Sequence, residues 1–298
     1  MTAGETDLTG RVVIVTGAGK GLGRAYALDL AARGASVVVN NRWSDRTQPP
    51  SAETVVAEIV ARGGRAVASL DPAEDSATGR RLVEQALDTF GRLDGVVSNA
   101  GVPETQRLHR QTREGFRRIF KINFFGAFDL VHAAWPELSR NGGRIVVSAS
   151  AAGLHGGDGM AAYASSKAAL IGLVRGLATE GRPRNVLINA IAPYAVTAMT
   201  EPYLAPGQAA RMDPAAVAPL VSWLVSEACD VTGLTLVSGG GRLRIATAVE
   251  GPPVRLDGAI GAAVHAAIRA EPREAYPDSH LAFAAFMDGR PALAATPA

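Results

Sequence analysis

Ser150, Tyr163 and Lys167 are the residues of this 298-residue chain whose types and spacing suit chemistry. The tyrosine stands thirteen positions after the serine, and the lysine four positions after the tyrosine. On a helix, positions i and i+4 share one face, so a helix through Tyr163 and Lys167 makes phenol and ammonium neighbours. A phenol ordinarily titrates at about pH 10, and a fixed cation beside it favours the phenolate and lowers that value. Such a pair suits a general acid/base acting on an alcohol or a carbonyl near neutral pH.

The elements that must position these residues alternate along the chain. VVIVT (12–16) is a short apolar, β-branched run between Gly10 and Gly17, the pattern of a strand buried on both faces. A glycine loop, a helical apolar pattern from Ala25 to Ala32 and a second run at 36–39 complete a βαβ unit. The spacing then predicts helices near 52–62 and 74–90, strands at 66–70 and 94–98, and two helical pieces over 104–140 disturbed by Trp135–Pro136. Further strands are expected at GGRIVVSAS, VLINAIA and LTLVSG, with helices over 162–181 and 214–227 and a loop rich in Pro and Ala at about 193–213. Strict alternation argues an α/β fold, a Rossmann-type doubly wound sheet of seven parallel strands, with ligands at the carboxyl ends of the strands. From about residue 241 the chain changes character. Residues 1–245 are read as the dinucleotide-binding domain. Residues 246–298, with many prolines, one helix near 257–270 and an apolar patch at 281–286, are read as an extension packing on the body or on a partner subunit.

Thr16-Gly17-Ala18-Gly19-Lys20-Gly21-Leu22-Gly23 lies between the first strand and the first helix. Glycines there permit a tight turn and close backbone approach, and the helix N-terminus offers amides to a diphosphate. The end of the second strand should meet the adenosine ribose, where a carboxylate favours NAD and a basic group accommodates the 2′-phosphate of NADP. Asn40-Asn41-Arg42 stand there, with no carboxylate until Asp45. Arg42 can grip phosphate in a fork, and Lys20 reaches from the loop towards the same place. NADP(H) is therefore the preferred cofactor, with NAD(H) as the alternative.

Composition narrows the remaining classes. A hydrophobic content of 47% and a net charge of +2 without blocks of like charge give no sign of a nucleic-acid or anionic-membrane partner. No segment reaches the roughly 18 apolar residues of a membrane span. The N-terminus lacks the basic-then-apolar order of a signal peptide. The single cysteine, Cys229, suits a reducing compartment, the ending ATPA is not the peroxisomal Ser-Lys-Leu signal, and a cytoplasmic location is expected. The five histidines show no metal spacing, so no metal site is expected.

TGAGKGLG, SNAG (98–101), KINFFGAF around Asn123, and Ser150/Tyr163/Lys167 together resemble a short-chain dehydrogenase/reductase over roughly residues 8–245. The resemblance implies that Tyr163 exchanges a proton with the substrate oxygen and that Ser150 orients that oxygen. It implies that Lys167 binds the nicotinamide ribose and lowers the tyrosine pKa, and that Asn123 holds a relay water. It places Asp71 and Pro72 at the adenine, Asn99, Ala100 and Gly101 beside the cofactor, and Pro193, Val196 and Thr197 at the nicotinamide end. Small apolar residues around Ala161–Val174 suit a helix pressed on a second subunit, as in the family's homodimers and homotetramers.

A closer likeness, through GRAYAL (23–28), LATEGRPRNVLINAIAP (177–193), VAPLVSWLVSEAC (217–229) and GGGRLR (239–244), is to the (3R)-hydroxyacyl-CoA dehydrogenase part of peroxisomal multifunctional enzymes of type 2. This chain differs in carrying Asn41 where that group has an aspartate, in Lys20, and in Pro193-Tyr194 where Pro-Gly is widespread. A free-standing dehydrogenase, without an attached hydratase domain, is expected. The small-molecule substrate is then a ketone or secondary alcohol, either a 3-oxoacyl/3-hydroxyacyl thioester or a polyketide-like or cyclic ketone of a specialised pathway. A non-catalytic sensor is the alternative outside enzymes. His155, Met160, Tyr194, Met199 and Tyr203 are the candidate substrate residues.

Overall fold

A computed structural model describes residues 6–43, 45–196, 212–256 and 259–288. β1 (Val12–Thr16) is buried at every position, and it is the strand about which the sheet is arranged. β2 (Ser36–Asn40) and β3 (Arg65–Ser69) lie to one side of it. β4 (Gly95–Ser98), β5 (Gly143–Ser148), β6 (Val186–Pro193) and β7 (Thr235–Gly239) lie to the other. All these pairings are parallel, in the order β3-β2-β1-β4-β5-β6-β7. The chain reverses its winding between β1 and β4, so their carboxyl ends diverge into a crevice where ligands bind in such sheets.

Side-chain alternation along β1 explains the two layers of helix. Val13 and Val15 face a cluster with Tyr26, Leu30, Val55, Ile59 and Val221. Those residues belong to α1 (Gly21–Ala32), α2 (Ser51–Ala61) and α8 (Ala218–Leu224). Val12 and Ile14 face the opposite cluster, with Leu82, Leu130, Leu138, Leu170 and Val174. Its helices are α3 (Thr78–Phe90), α5 (Gly126–Asn141) and α7 (Ala161–Gly181). With both faces covered, the strands read as unbroken apolar runs.

The parallel sheet expected from the sequence is present, and several local expectations are corrected. An eighth strand, β8 (Arg242–Ala246), follows β7 across Gly240–Gly241, both at positive φ. A two-residue turn joins only antiparallel neighbours, and β8 is too polar to read as a core strand. The region 104–112 holds only a three-residue 3-10 turn, Leu108–Arg110, before α4 (Arg113–Phe120). Pro136 does not interrupt α5, whose buried residues Leu130, Val131, Ala134 and Leu138 hold it against the core despite the missing N–H. Between α4 and α5 a π-helical turn, Lys121–Phe125, carries Asn123. A short α6 (Ala151–His155) follows Ser150.

By its contacts the chain divides into two compact units, Met1–Ile245 and Ala246–Ala298. The second holds α9 (Ile260–Arg269), α10 (Ser279–Asp288) and an antiparallel bridge between Glu250 and Glu274. The apolar patch at 281–286 is thus part of a second helix. No helix among the described residues is long and apolar enough to cross a membrane.

Candidate active site

Thr16 ends β1 and ties the two sides of the crevice together. Its hydroxyl accepts from the backbone amides of Asn99 (3.0 Å) and Ala100 (3.1 Å). The Asn99 side-chain amide donates back to the carbonyls of Thr16 (3.2 Å) and Gly17 (3.4 Å). Ser148 Oγ in turn donates to Asn99 Oδ1 at 3.2 Å, so β1, β4 and β5 are locked at their carboxyl ends. Close packing explains the glycines. A Cβ on Gly23 would run into the Gly17 carbonyl oxygen and come within 2.6 Å of Asn99 Nδ2. One on Gly19 would meet Ser51 and Asn41, and Gly17 and Gly21 have positive φ.

A cleft of about 410 Å³ opens over this lock. Gly17, Lys20, Gly21, Leu22, Asn41, Arg42, Asn99, Ala100 and Gly101 line it, as the sequence reading expects of a dinucleotide site. The fit to a nicotinamide dinucleotide has a second observation behind it. The N-terminus of α1, beginning at Gly21, has no side-chain cap, so its first-turn amides remain open to a diphosphate. Asp71 and Pro72 do not line this cleft. The Asp71 carboxylate is engaged by Arg81 (3.0 Å) and the Ser69 hydroxyl (3.1 Å), and Ala73 and Glu74 form the wall instead. Arg42 is not a free cation, because its Nη1 lies 3.0 Å from Glu74 Oε1. Sequence reasoning found no acid here because Glu74 comes from the turn after β3, thirty-two positions away.

At the other end, Gly101 leads out of the cleft. A Cβ there would stand 3.2 Å from Asn123 Oδ1 and 3.4 Å from Lys167 Nζ. Lys167 is 4% exposed, and its ammonium donates to the Ser148 carbonyl oxygen at 2.6 Å. Burial pulls its pKa down to about 8. Asn123 is fully buried and pinned at both ends of its amide. Oδ1 accepts from the Val102 N–H (2.8 Å), and Nδ2 donates to the Val102 carbonyl (3.1 Å) and Ser166 Oγ (3.2 Å). The π turn supplies the extra residue that aims this side chain inward, a device common at functional sites.

Tyr163 and Lys167 share a face of α7, with Nζ 5.9 Å from the centre of the phenol ring. Burial pushes the Tyr163 phenol up, while a hydrogen bond with Ser150 pulls it down. This differs from the expectation of a phenol lowered by the lysine. The Lys167 ammonium directs one N–H to the Ser148 carbonyl, and desolvation disfavours the charged forms of both groups. Ser150 caps α6, its Oγ accepting from the Ala152 N–H at 3.1 Å. A half-buried phenol, a hydroxyl bonded to it and a buried amine can hold a carbonyl oxygen and move one proton to it.

The candidate substrate residues are not all brought together. Met160 lines a cavity of about 480 Å³ with Arg107, His109, Asp158 and Ala164. The wall is stitched by an Arg107–Asp158 pair at 3.1 Å and by Gln106 N donating to the Gly159 carbonyl at 2.7 Å. Neither Arg107 nor His109 carries a pattern that sequence reasoning singles out. His155 is exposed at the end of α6, and Tyr194 is exposed beyond β6, its N–H donating to the Ser238 carbonyl at 2.7 Å. Pro193 and Val196 are half-buried there, while Thr197, Met199 and Tyr203 lie outside the described residues. Among those described, no group of three or more His, Cys, Asp or Glu is placed to hold a metal ion.

A family model described as short chain dehydrogenase matches residues 11–206. The chain belongs to the short-chain dehydrogenase family. It is 41% identical over 239 residues to a short-chain type dehydrogenase/reductase of Mycobacterium tuberculosis, covering 78% of this chain and 84% of that one. It is 44% identical over 237 residues to the peroxisomal multifunctional enzyme type 2 of Mus musculus, covering 78% of this chain and 32% of that longer enzyme. The crystal structure of a short chain dehydrogenase from Mycobacterium avium superimposes with a TM-score of 0.79 at 38% identity, covering 89% of this chain and 97% of that one. As a short-chain dehydrogenase/reductase, the chain is an NAD(P)-dependent oxidoreductase.

Proposed function

We propose that this short-chain dehydrogenase interconverts a ketone and a secondary alcohol with NADP(H) as preferred cofactor, acting on a 3-oxoacyl or 3-hydroxyacyl thioester. The observation that carries the reaction type is the continuity from the glycine-lined cleft, past Gly101, to buried Lys167 and Asn123. A bound nicotinamide dinucleotide supplies or accepts the hydride. Gly17 to Gly23, Asn99, Ala100 and Gly101 would hold it. Tyr163 gives the proton to the carbonyl oxygen or takes it back, Ser150 fixes that oxygen by hydrogen bond, and Lys167 with Asn123 returns protons to the phenol. Exposed Lys20, which forms no ion pair among the described residues, and uncharged Asn41 support the NADP(H) preference, since both lower the repulsion a 2′-phosphate would meet.

The thioester rests on the sequence likeness to the multifunctional-enzyme dehydrogenases. The alternative, a polyketide-like or cyclic ketone, is favoured by exposed Tyr194, whose ring could stack on a flat substrate. Self-association as a homodimer or homotetramer is supported on α7 by Ser165, Ala168, Gly172 and Gly176, which form an exposed stripe of small residues. Phe125, in the π turn, and Phe128, on α5, are exposed as well. NADPH oxidation measured with a 3-oxoacyl thioester and with a cyclic diketone separates the two substrate classes. Turnover of neither, with NADPH bound, would overturn the reading.

A further inference from the structure

The cleft's adenosine end contains an acid that the sequence around β2 does not. Arg42 and Glu74 both line the cleft and pair at 3.0 Å, with the arginine side chain 43% exposed and the glutamate 23%. Glu74 is held there by a locked turn. Asp75 N donates to the Pro72 carbonyl at 3.1 Å, and the Thr78 hydroxyl donates to the same oxygen at 2.8 Å. Asp75 itself accepts from the Ala77 N–H (3.0 Å) and from Arg81 (2.8 Å). Gly126 lets α5 close on this turn, for a Cβ there would stand 2.6 Å from the Ala73 carbonyl oxygen. The glutamate is therefore a placed group and not a wandering surface side chain. Opposite it, Asn41 is committed to the Ser51 hydroxyl at 2.8 Å, and Lys20 forms no ion pair among the described residues.

We propose that Glu74 is a cofactor-specificity residue, acting as the internal counter-ion of Arg42 in competition with the 2′-phosphate of NADP. The idea rests on the dinucleotide reading of the cleft and deepens it. A phosphate arriving at Arg42 must displace or share a carboxylate already paired with that guanidinium, and it meets like-charge repulsion from that carboxylate. A ribose 2′-hydroxyl meets neither cost and finds an acceptor in Glu74. Lys20 and Arg42 pull towards NADP(H), and Glu74 pulls back towards NAD(H). Selectivity at this site is the balance of the three groups.

The test uses ligand binding without turnover. Adenosine 2′,5′-bisphosphate and ADP are titrated calorimetrically into the full chain carrying no substitution, Glu74→Gln, Arg42→Ala or both. Glu74→Gln is expected to tighten the bisphosphate roughly threefold to fivefold relative to ADP, the scale of a partly exposed ion pair. The gain should shrink in the Arg42→Ala background, where only the carboxylate's own repulsion of the phosphate is left to relieve, and fade as salt is raised. Glu74→Ala is the second variant and should move the ratio in the same sense. An unchanged ratio in both glutamate variants overturns the proposal, as does a gain that is undiminished without Arg42. Equal weakening of both ligands also overturns it, since that marks a merely structural glutamate. A wild type that prefers ADP sinks the NADP(H) preference and leaves the Glu74 test standing, and binding of neither ligand sinks the dinucleotide reading itself.

Discussion

The two ends of the cleft hold charge in opposite ways. At the adenosine end, Lys20 and Arg42 are exposed, Glu74 is half-buried, and Arg42 pairs with Glu74. At the catalytic end, Lys167 and Asn123 are buried and tied to backbone groups of β5 and of the segment after β4. Exposed charges cost little to keep and contribute little each, because water and salt screen them. A buried amine shifts its own pKa, so each proton there is coupled to the fold. The lesson is that cofactor choice should be adjustable in small steps, whereas the proton-handling end should respond to any change as a unit.

The sharpest way to break that contrast is Tyr163→Phe. It should cut kcat by about a hundredfold or more, the usual scale of a lost general acid, while dinucleotide binding, measured by fluorescence titration, stays close to wild type. Wild-type turnover would remove the catalytic end from the comparison. Gly23→Ala should cost about 2–3 kcal/mol of stability through overpacking, read as a lowered urea midpoint, together with lost dinucleotide affinity. A neutral result would mean that the close approach to Gly17 and Asn99 relaxes freely.

A third test uses pH. Lys167 has a folded pKa of about 8 against a reference of 10.5, so between those values the unfolded chain binds a proton that the folded chain lacks. Stability should therefore rise with pH from about 8 to 10, by roughly 2 kcal/mol relative to Lys167→Met. Below pH 8 both states hold the proton and the difference levels off. Above pH 10 the raised Tyr163 phenol acts in the opposite sense, because the folded state then keeps a proton that the unfolded state has lost. Thermal unfolding of the two proteins at pH 7.5, 9 and 10 reads the slope, and parallel curves would contradict a dry Lys167. The smallest effect is expected of Arg42→Ala, a loss of NADPH affinity of about threefold with NADH barely changed and the difference shrinking in high salt. A larger, salt-independent loss would place Arg42 with the buried end.

Features carried by local spacing were legible without coordinates. VVIVT, the glycine loop, SNAG and the Tyr163–Lys167 interval each encode their element within a few residues, because strand burial, tight turns and helix faces are short-range properties. Asn123 was recognisable by its motif, but the π turn that aims it was not, since KINFF has no pattern distinguishing i→i+5 from i→i+4 hydrogen bonding. β8 was hidden for a related reason. Its alternation, Arg242-Leu243-Arg244-Ile245, is only four residues long and buries no face, since Leu243 and Ile245 are exposed, and only the turn at Gly240–Gly241 brings it beside β7. The region 104–112 was over-read as helix because polar spacing alone does not supply the packing that helices need.

Sequence by itself determined the parallel α/β fold, the glycine-lined cleft and the types of the groups proposed to move a proton, since each follows from residue type and near-neighbour spacing. Tertiary structure alone decided how those groups are charged. It sank Lys167 into a dry site where its pKa falls to about 8, and it set Glu74 against Arg42 from a different strand. Electrostatic environment depends on distance through space and on exclusion of water, and neither quantity is written in the order of residues along a chain.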